Sequence, residues 1–289
     1  MVGHVEWVQF ARVAHVPRAG EVVNGGDLFE EPAGGGAVAA VQLARLAGEA
    51  MLITALGRDE LGDRSLARLR ELGVDVHAAR HAAGTRRAVT LLDDAGERTI
   101  TTLGPRLEPM RDDELPWEAL EKMDAVYFTA GDLGALRAAR AAQVLVASPR
   151  AGDALLHGVP LDALVLSGED AVERRQGARV QEEAELVVFT EGDRGGAYRT
   201  RGGSSGRWDP VAPSDPARDR ALAPALPTAA PAGAVDSYGC GDSFAAGLTY
   251  GLGASEGIPA ALSLAARCGA ACLTGRGPYQ RQLTIQDRV

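Results

Sequence analysis

An α/β protein with a mainly parallel sheet is what this chain predicts, and three observations carry the prediction. Short apolar runs alternate with helical patterns, glycine clusters punctuate the joints, and the hydrophobic fraction of 46 % over 289 residues is ample for a sizeable core.

Residues 2 to 13 read as the first strand, with Val2, Glu6, Val8 and Val13 marking its course before Pro17 and Gly20 turn the chain. Strand alternation places Glu6 and Val8 on one side. Residues 22 to 31 form a second extended piece. Ala33-Gly34-Gly35-Gly36 then opens an apolar, buried helix over 37–46. Three glycines in a row let a ligand approach the backbone closely, although a plain flexible joint fits them too. A buried strand at 51–55 and Gly57-Arg58-Asp59-Glu60-Leu61-Gly62 lead into an amphipathic helix over 63–72, ended by Gly73. Residues 85–92 and 97–103 flank Asp93-Asp94-Ala95-Gly96 and read as a hairpin. With 8–31 they predict a small sheet standing off the main body as a lid. From residue 125 the alternation resumes: strands at 125–129, 144–147, 163–166 and 186–190, with helices at 133–142 and 170–176. The stretch 202–233 is aperiodic, rich in Gly, Ser, Pro and Ala, and reads as a mobile loop. Helices at 242–252 and 259–274 close a single domain spanning 1–289, with its lid at about 8–31 and 85–103.

The net charge of −9 argues against a nucleic-acid or anionic-membrane surface and favours a small-molecule partner. No secretory leader pattern and no long apolar run is present, so a cytoplasmic location is expected. Cys240, Cys268 and Cys272 lack a zinc pattern and read as reduced thiols. His77 and His81 stand four apart, without the further ligands a metal site needs.

The stretch with the most chemistry is Val235-Asp236-Ser237-Tyr238-Gly239-Cys240-Gly241-Asp242-Ser243-Phe244. Gly239 and Gly241 permit a tight turn whose N–H groups converge, and the helix that follows adds the positive end of its dipole: an anion cradle. Asp242 sits beside it, placed to take a proton from a hydroxyl next to a bound phosphoryl group. An ordinary helix cap also fits these residues.

These ten residues resemble the DTxGAGDxF signature of the ribokinase-like carbohydrate kinases, the phosphofructokinase-B family. Gly34-Gly35-Gly36-Ala37 followed by Ala44-Arg45-Leu46 is similar to that family's N-terminal glycine signature, and the segment 57–62 to the one after it. Thr190-Glu191-Gly192-Asp193-Arg194-Gly195-Gly196 is similar to its TxGxxG stretch. The resemblance covers nearly the whole chain and implies a three-layer fold, a central mostly parallel sheet flanked by helices, with a small β-sheet lid. It further implies an ATP-dependent kinase acting on a hydroxyl of a small metabolite, with Asp242 as base and Gly239, Cys240 and Gly241 as anion hole. Thr190, Gly192, Gly195 and Asp236 would border the nucleotide, and Gly34, Gly35 and Gly36 the acceptor. ATP and Mg²⁺ are the implied cofactors, with a monovalent cation as a further candidate.

Two departures concern the acceptor. Val8 and Val38 stand where the family usually has an Asp and an Asn that hold sugar hydroxyls; Glu6 offers a carboxylate two residues away, or is simply solvent-facing or salt-bridged. The family's magnesium-organising NxxE stretch is replaced by Ser167-Gly168-Glu169-Asp170, so Glu169 and Asp170 are the metal candidates. Arg86, Arg87 and Arg98 on the lid are candidates for closing over substrate, or plain solvated surface. The rival to the kinase is a silent ligand-binding protein on the same fold, and a homodimer through the lid strands is compatible with either.

Overall fold

The computed structural model describes residues 1–211 and 236–288. In chain order the first half contributes β1 (Glu6–Arg12), β2 (Gly26–Ala33), α1 (Gly35–Ala47), β3 (Met51–Gly57), α2 (Glu60–Glu71), β4 (Asp75–His81), β5 (Arg87–Leu92) and β6 (Arg98–Leu103). The middle contributes β7 (Ala125–Phe128), α3 (Leu133–Ala139), β8 (Val144–Ala147), β9 (Leu161–Ser167), α4 (Ala171–Ala178), β10 (Ala184–Thr190), β11 (Gly196–Thr200) and β12 (Ser205–Trp208). Two long helices, α5 (Cys240–Gly253) and α6 (Ile258–Leu273), follow.

The main sheet runs β12-β11-β10-β9-β8-β7, parallel from β10 to β7 and antiparallel at the β11 and β12 edge. Val2 forms parallel bridges to both Phe128 and Ile53, and so splices the parallel pair β3-β4 onto the β7 side. Side-chain alternation divides the core. Tyr127, Val146, Ala163, Val165, Leu186 and Val188 pack with α1, α5 and α6, while Val126, Phe128, Leu145, Leu164 and Val187 pack with α3 on the opposite face. Both faces are covered, as a parallel sheet requires, and the three layers predicted are the three layers found.

A separate sheet has the order β2-β1-β5-β6. Strand β1 pairs antiparallel with β2 and parallel with β5, and β5 forms the expected hairpin with β6. The first extended segment is therefore two pieces, since Val2 belongs to the main sheet and β1 to the second. The crossing occurs at Gly3, where a Cβ would lie 2.3 Å from the Thr129 hydroxyl oxygen, so only glycine lets the chain pass. Strands β4, β11 and β12 are additional to the sequence reading. Of the stretch 202–233 read as a loop, Ser205–Trp208 is strand; residues 212–233 lie outside the described residues. Among the described residues no helix is long and apolar enough to cross a membrane.

Candidate active site

The site begins with the turn into α5. Gly239 has φ 83°, a left-handed conformation that costs a residue with a Cβ about 1–2 kcal/mol. The first intrahelical bond runs from Ser243 N to Gly239 O at 2.8 Å, so the N–H groups of Cys240, Gly241 and Asp242 precede the helical ladder at the positive end of the dipole. The turn is pinned from behind. Asp236, 1 % exposed, accepts hydrogen bonds from Tyr238 N at 2.9 Å and Gly277 N at 2.8 Å. Burial pushes its carboxyl above the usual range, against those two bonds. Its carboxylate holds the loop together in this structure. Val38 packs on the same turn: a Cβ on Gly239 would meet its Cγ1 at 3.0 Å.

Asp242 lies in the first turn of α5, half-buried. Burial raises its carboxyl pKa, while Arg150 and Arg98 pull it back down and Glu173 pushes it up. Its Oδ1 lies 3.0 Å from the point where a Cβ on Gly35 would stand, with the Cε1 of His4 3.6 Å from that same point. Gly35 is thus a bare floor between the acid and an imidazole. Gly34 has φ 86° and donates its N–H to the Tyr238 hydroxyl at 3.3 Å, which ties the glycine loop to the anion turn. Gly36 allows another close approach, since a Cβ there would fall 2.5 Å from the His4 carbonyl oxygen.

Glu6 is buried, as strand alternation with the fully buried Val8 implies, and faces Arg86 Nε at 3.4 Å. Burial raises the Glu6 pKa, Arg86 opposing it and Asp242 adding to it. Glu6 and Asp242 therefore share one electrostatic neighbourhood. Val8 and Val38, where hydroxyl-binding residues were sought, are both fully buried core.

The remaining wall comes from the C-terminal ends of the parallel strands, where open α/β sheets bind ligands. Thr129 follows β7; Ser148 and Arg150 follow β8; Ser167 ends β9 and Gly168 to Asp170 follow it; Thr190 ends β10. Gly168 N donates to Thr190 O at 2.7 Å and joins the last two. Gly192 and Gly195 both have positive φ, and Gly195 and Gly196 press against Trp208, which stacks on Phe244 of α5 at 5.6 Å. Glu169 pairs with Arg194 at 2.8 Å and reaches to 3.5 Å from a Cβ position on Gly192, so it borders the TxGxxG loop. Asp170 caps α4, accepting from Val172 N at 2.7 Å and Glu173 N at 3.2 Å. Among the described residues no group of three or more His, Cys, Asp or Glu side chains is arranged to hold a metal ion.

Several residues here escaped the sequence reading. His4, Thr129, Arg150 and Glu173 carry no motif. Extending the alternation of Glu6 and Val8 back by two would have reached His4, and the strand-end rule would have reached Thr129 and Arg150. The predicted lid hairpin also touches the anion turn: Ser237 N donates to Gly96 O at 3.3 Å and Arg98 Nη1 to Ser237 O at 2.9 Å.

Residues 1–284 match the family model described as pfkB family carbohydrate kinase, and the chain belongs to that family. No curated protein matches it in sequence. Among solved structures it is similar to ribokinase from Thermotoga maritima, at 16 % identity and TM-score 0.72, covering 99 % of this chain and 96 % of that one. Arabidopsis thaliana ribokinase complexed with ribose and ATP is similar at 17 % identity and TM-score 0.70, with the same coverages of 99 % and 96 %. A microbiome-derived acarbose kinase shares 22 % identity at TM-score 0.72, again covering 99 % and 96 %.

Proposed function

We propose that this protein is an ATP-dependent kinase that transfers the γ-phosphoryl group to a hydroxyl of a sugar or sugar derivative, with Asp242 as general base. The observation that carries the reading is the position of Asp242. It stands in the first turn of α5, behind the left-handed Gly239, and faces the bare backbone of Gly35. Membership of the pfkB family supports it, as do the ribose, ATP and acarbose named for the similar structures.

In this mechanism the acceptor hydroxyl lies over Gly35 and attacks the γ-phosphorus in line. Its proton passes to Asp242 as the new P–O bond forms and the bond to ADP breaks. The N–H groups of Gly239, Cys240 and Gly241 face the charge that develops on the transferring oxygens. Arg150 and Arg98 oppose the rise that burial imposes on the Asp242 carboxyl. The Thr190–Gly196 loop borders the nucleotide, its glycines leaving the backbone bare. Glu169, beside Gly192, would hold a nucleotide-borne Mg²⁺ ion through water, since such an ion needs few protein ligands, and the ion would neutralise phosphate charge. The second sheet acts as the lid, its hairpin already bonded to Ser237.

The test is ADP release with ATP and Mg²⁺ across a panel of sugars, sugar acids, sugar phosphates and nucleosides, alongside Asp242→Asn. Acceptor-dependent release that falls about 10²–10⁴-fold in the variant is expected. Silence on every acceptor, with ATP still raising the melting temperature, would replace the enzyme with a ligand-binding protein.

A further inference from the structure

Four buried polar atoms on residues around Asp242 have no hydrogen-bond partner among the described residues: His4 Nδ1, Glu6 Oε2, Arg86 Nε and Thr129 Oγ1. His4 and Glu6 are each 6 % exposed and Thr129 1 %, so bulk water does not serve them. An unsatisfied buried polar atom is costly, and natural folds tolerate few. His4 and Glu6 border Gly34, and His4, Thr129 and the proposed base border Gly35, so three of these residues meet at one floor, with Arg86 beside Glu6. His4 Nδ1 and Thr129 Oγ1 are thus free to bond a ligand, while Glu6 Oε2 and Arg86 Nε face each other as ions.

The charges around it define what that ligand is. Three arginines act on both His4 and Glu6, namely Arg86, Arg106 and Arg150, and each has its own carboxylate. Arg86 lies 3.4 Å from Glu6, close enough to pair as ions though not aligned as a hydrogen bond. Arg106 Nε donates to Glu108 at 2.6 Å, and Arg150 Nε to the buried Glu173 at 2.5 Å. His4 is neutral at physiological pH, because burial and then the arginines Arg106, Arg150 and Arg86 hold its pKa at about 3. At the His4 and Glu6 end each arginine is therefore matched by a carboxylate; Arg98, which acts on Asp242, lies at the turn into α5 with its Nη1 bonded to Ser237 O. An acceptor carboxylate or phosphate would have to break one of these pairs and strand its acidic partner.

We infer that the acceptor is an uncharged, hydroxyl-rich molecule held by His4, Glu6 and Thr129, and that sugar acids and sugar phosphates are refused. The imidazole supplies one donor and one acceptor, the carboxylate accepts from hydroxyls, and the threonine hydroxyl does either. His4 and Asp242 flank the same glycine, so the hydroxyl oriented by His4 neighbours the one that reacts. For turnover this rests on the kinase reading above; for binding it stands alone.

The experiment compares ribose, fructose, glucose, maltose and myo-inositol with gluconate, ribose 5-phosphate and fructose 6-phosphate, by ADP release and by ligand-induced shift in melting temperature. Wild type, His4→Gln, Thr129→Val and Glu6→Gln are measured together. At least one uncharged member should be used with kcat/KM roughly a hundredfold or more above any charged one, the scale of an unpaired buried charge. His4→Gln and Thr129→Val should raise KM about tenfold or more while leaving kcat less changed. Glu6→Gln frees Arg86, so it should weaken the uncharged acceptor and improve the acids, a reversal that loss of fold does not imitate. Preference for an acid or phosphate overturns the inference, and so does the absence of both binding and turnover for every uncharged member. Saturable binding of an uncharged member that His4→Gln weakens, without ADP release, upholds the inference and removes the kinase reading instead.

Discussion

Asp242 is held between opposing forces. Burial and the nearby Glu173 favour its protonated form, which is useless as a base, and Arg150 and Arg98 favour the carboxylate. The expected acid limb of kcat/KM therefore lies above the ordinary Asp value of about 4, because that limb reports the free enzyme's essential base. The sign of one substitution follows. Arg150→Met removes a positive charge that lowers the Asp242 pKa and leaves Glu173, which raises it, so the limb should move to higher pH. A limb that stays in place or moves lower would show that Arg150 does not act on the base. At this scale Gly239 and the glycine floor were legible as positions whose backbone needs glycine, and Asp242 as the acid that opens α5 beside them; its part in proton transfer is the proposal above. His4 carries no motif and lies before β1, where the chain passes from one sheet to the other at Gly3, so only the period of two carried back from Val8 and Glu6 reaches it.

The turn into α5 is held from three sides. Asp236 ties it to Gly277, Tyr238 ties it to Gly34 and sets its ring edge-on to Phe10 of β1 at 4.9 Å, and Ser237 bonds both Gly96 and Arg98 of the hairpin. The turn into α5 and the second sheet are thus mechanically joined. Arg98→Met removes one bond of the pair, worth about 1 kcal/mol, so the Ser237 amide should exchange with deuterium roughly fivefold faster while α5 amides are unchanged. Unchanged exchange at Ser237 would mean that the hairpin does not brace the turn. Elements whose pattern was strong were foreseen: α1, α2, the hairpin β5–β6 and the parallel strands β7 to β10. Strand β4 reads Asp-Val-His-Ala-Ala-Arg-His, with two histidines and an arginine in strand positions, and its strand character comes from its parallel pairing with β3. Strands β11 and β12 are short and carry Gly196 and Gly206, so pairing at the sheet edge, not propensity, makes them. The resemblance offered Asp170 as a metal candidate, and in the fold its carboxylate caps α4.

Across the whole molecule the site lies where strands β7 to β10 end, while the second sheet sits beside it and is built differently. Strands β8 and β9 are buried on both faces, but all six residues of β6 are exposed at the edge of a four-stranded sheet. Few buried contacts imply local opening at low free energy, whereas the doubly covered strands open only with the whole fold. In native-state hydrogen exchange, amides of β6 should therefore exchange with almost no dependence on denaturant. Those of β8 and β9 should follow the global unfolding slope, at about 5–15 kcal/mol. Addition of ATP analogue with Mg²⁺ and an accepted acceptor should slow β5 and β6 and leave β8 unchanged, because a lid gains its partners only when the site is filled. If β6 is as protected as β9 before any ligand is added, the second sheet is a fixed part of the body. The two hydrogen bonds to Ser237 would then be permanent architecture, and closure over the acceptor would have to come from elsewhere.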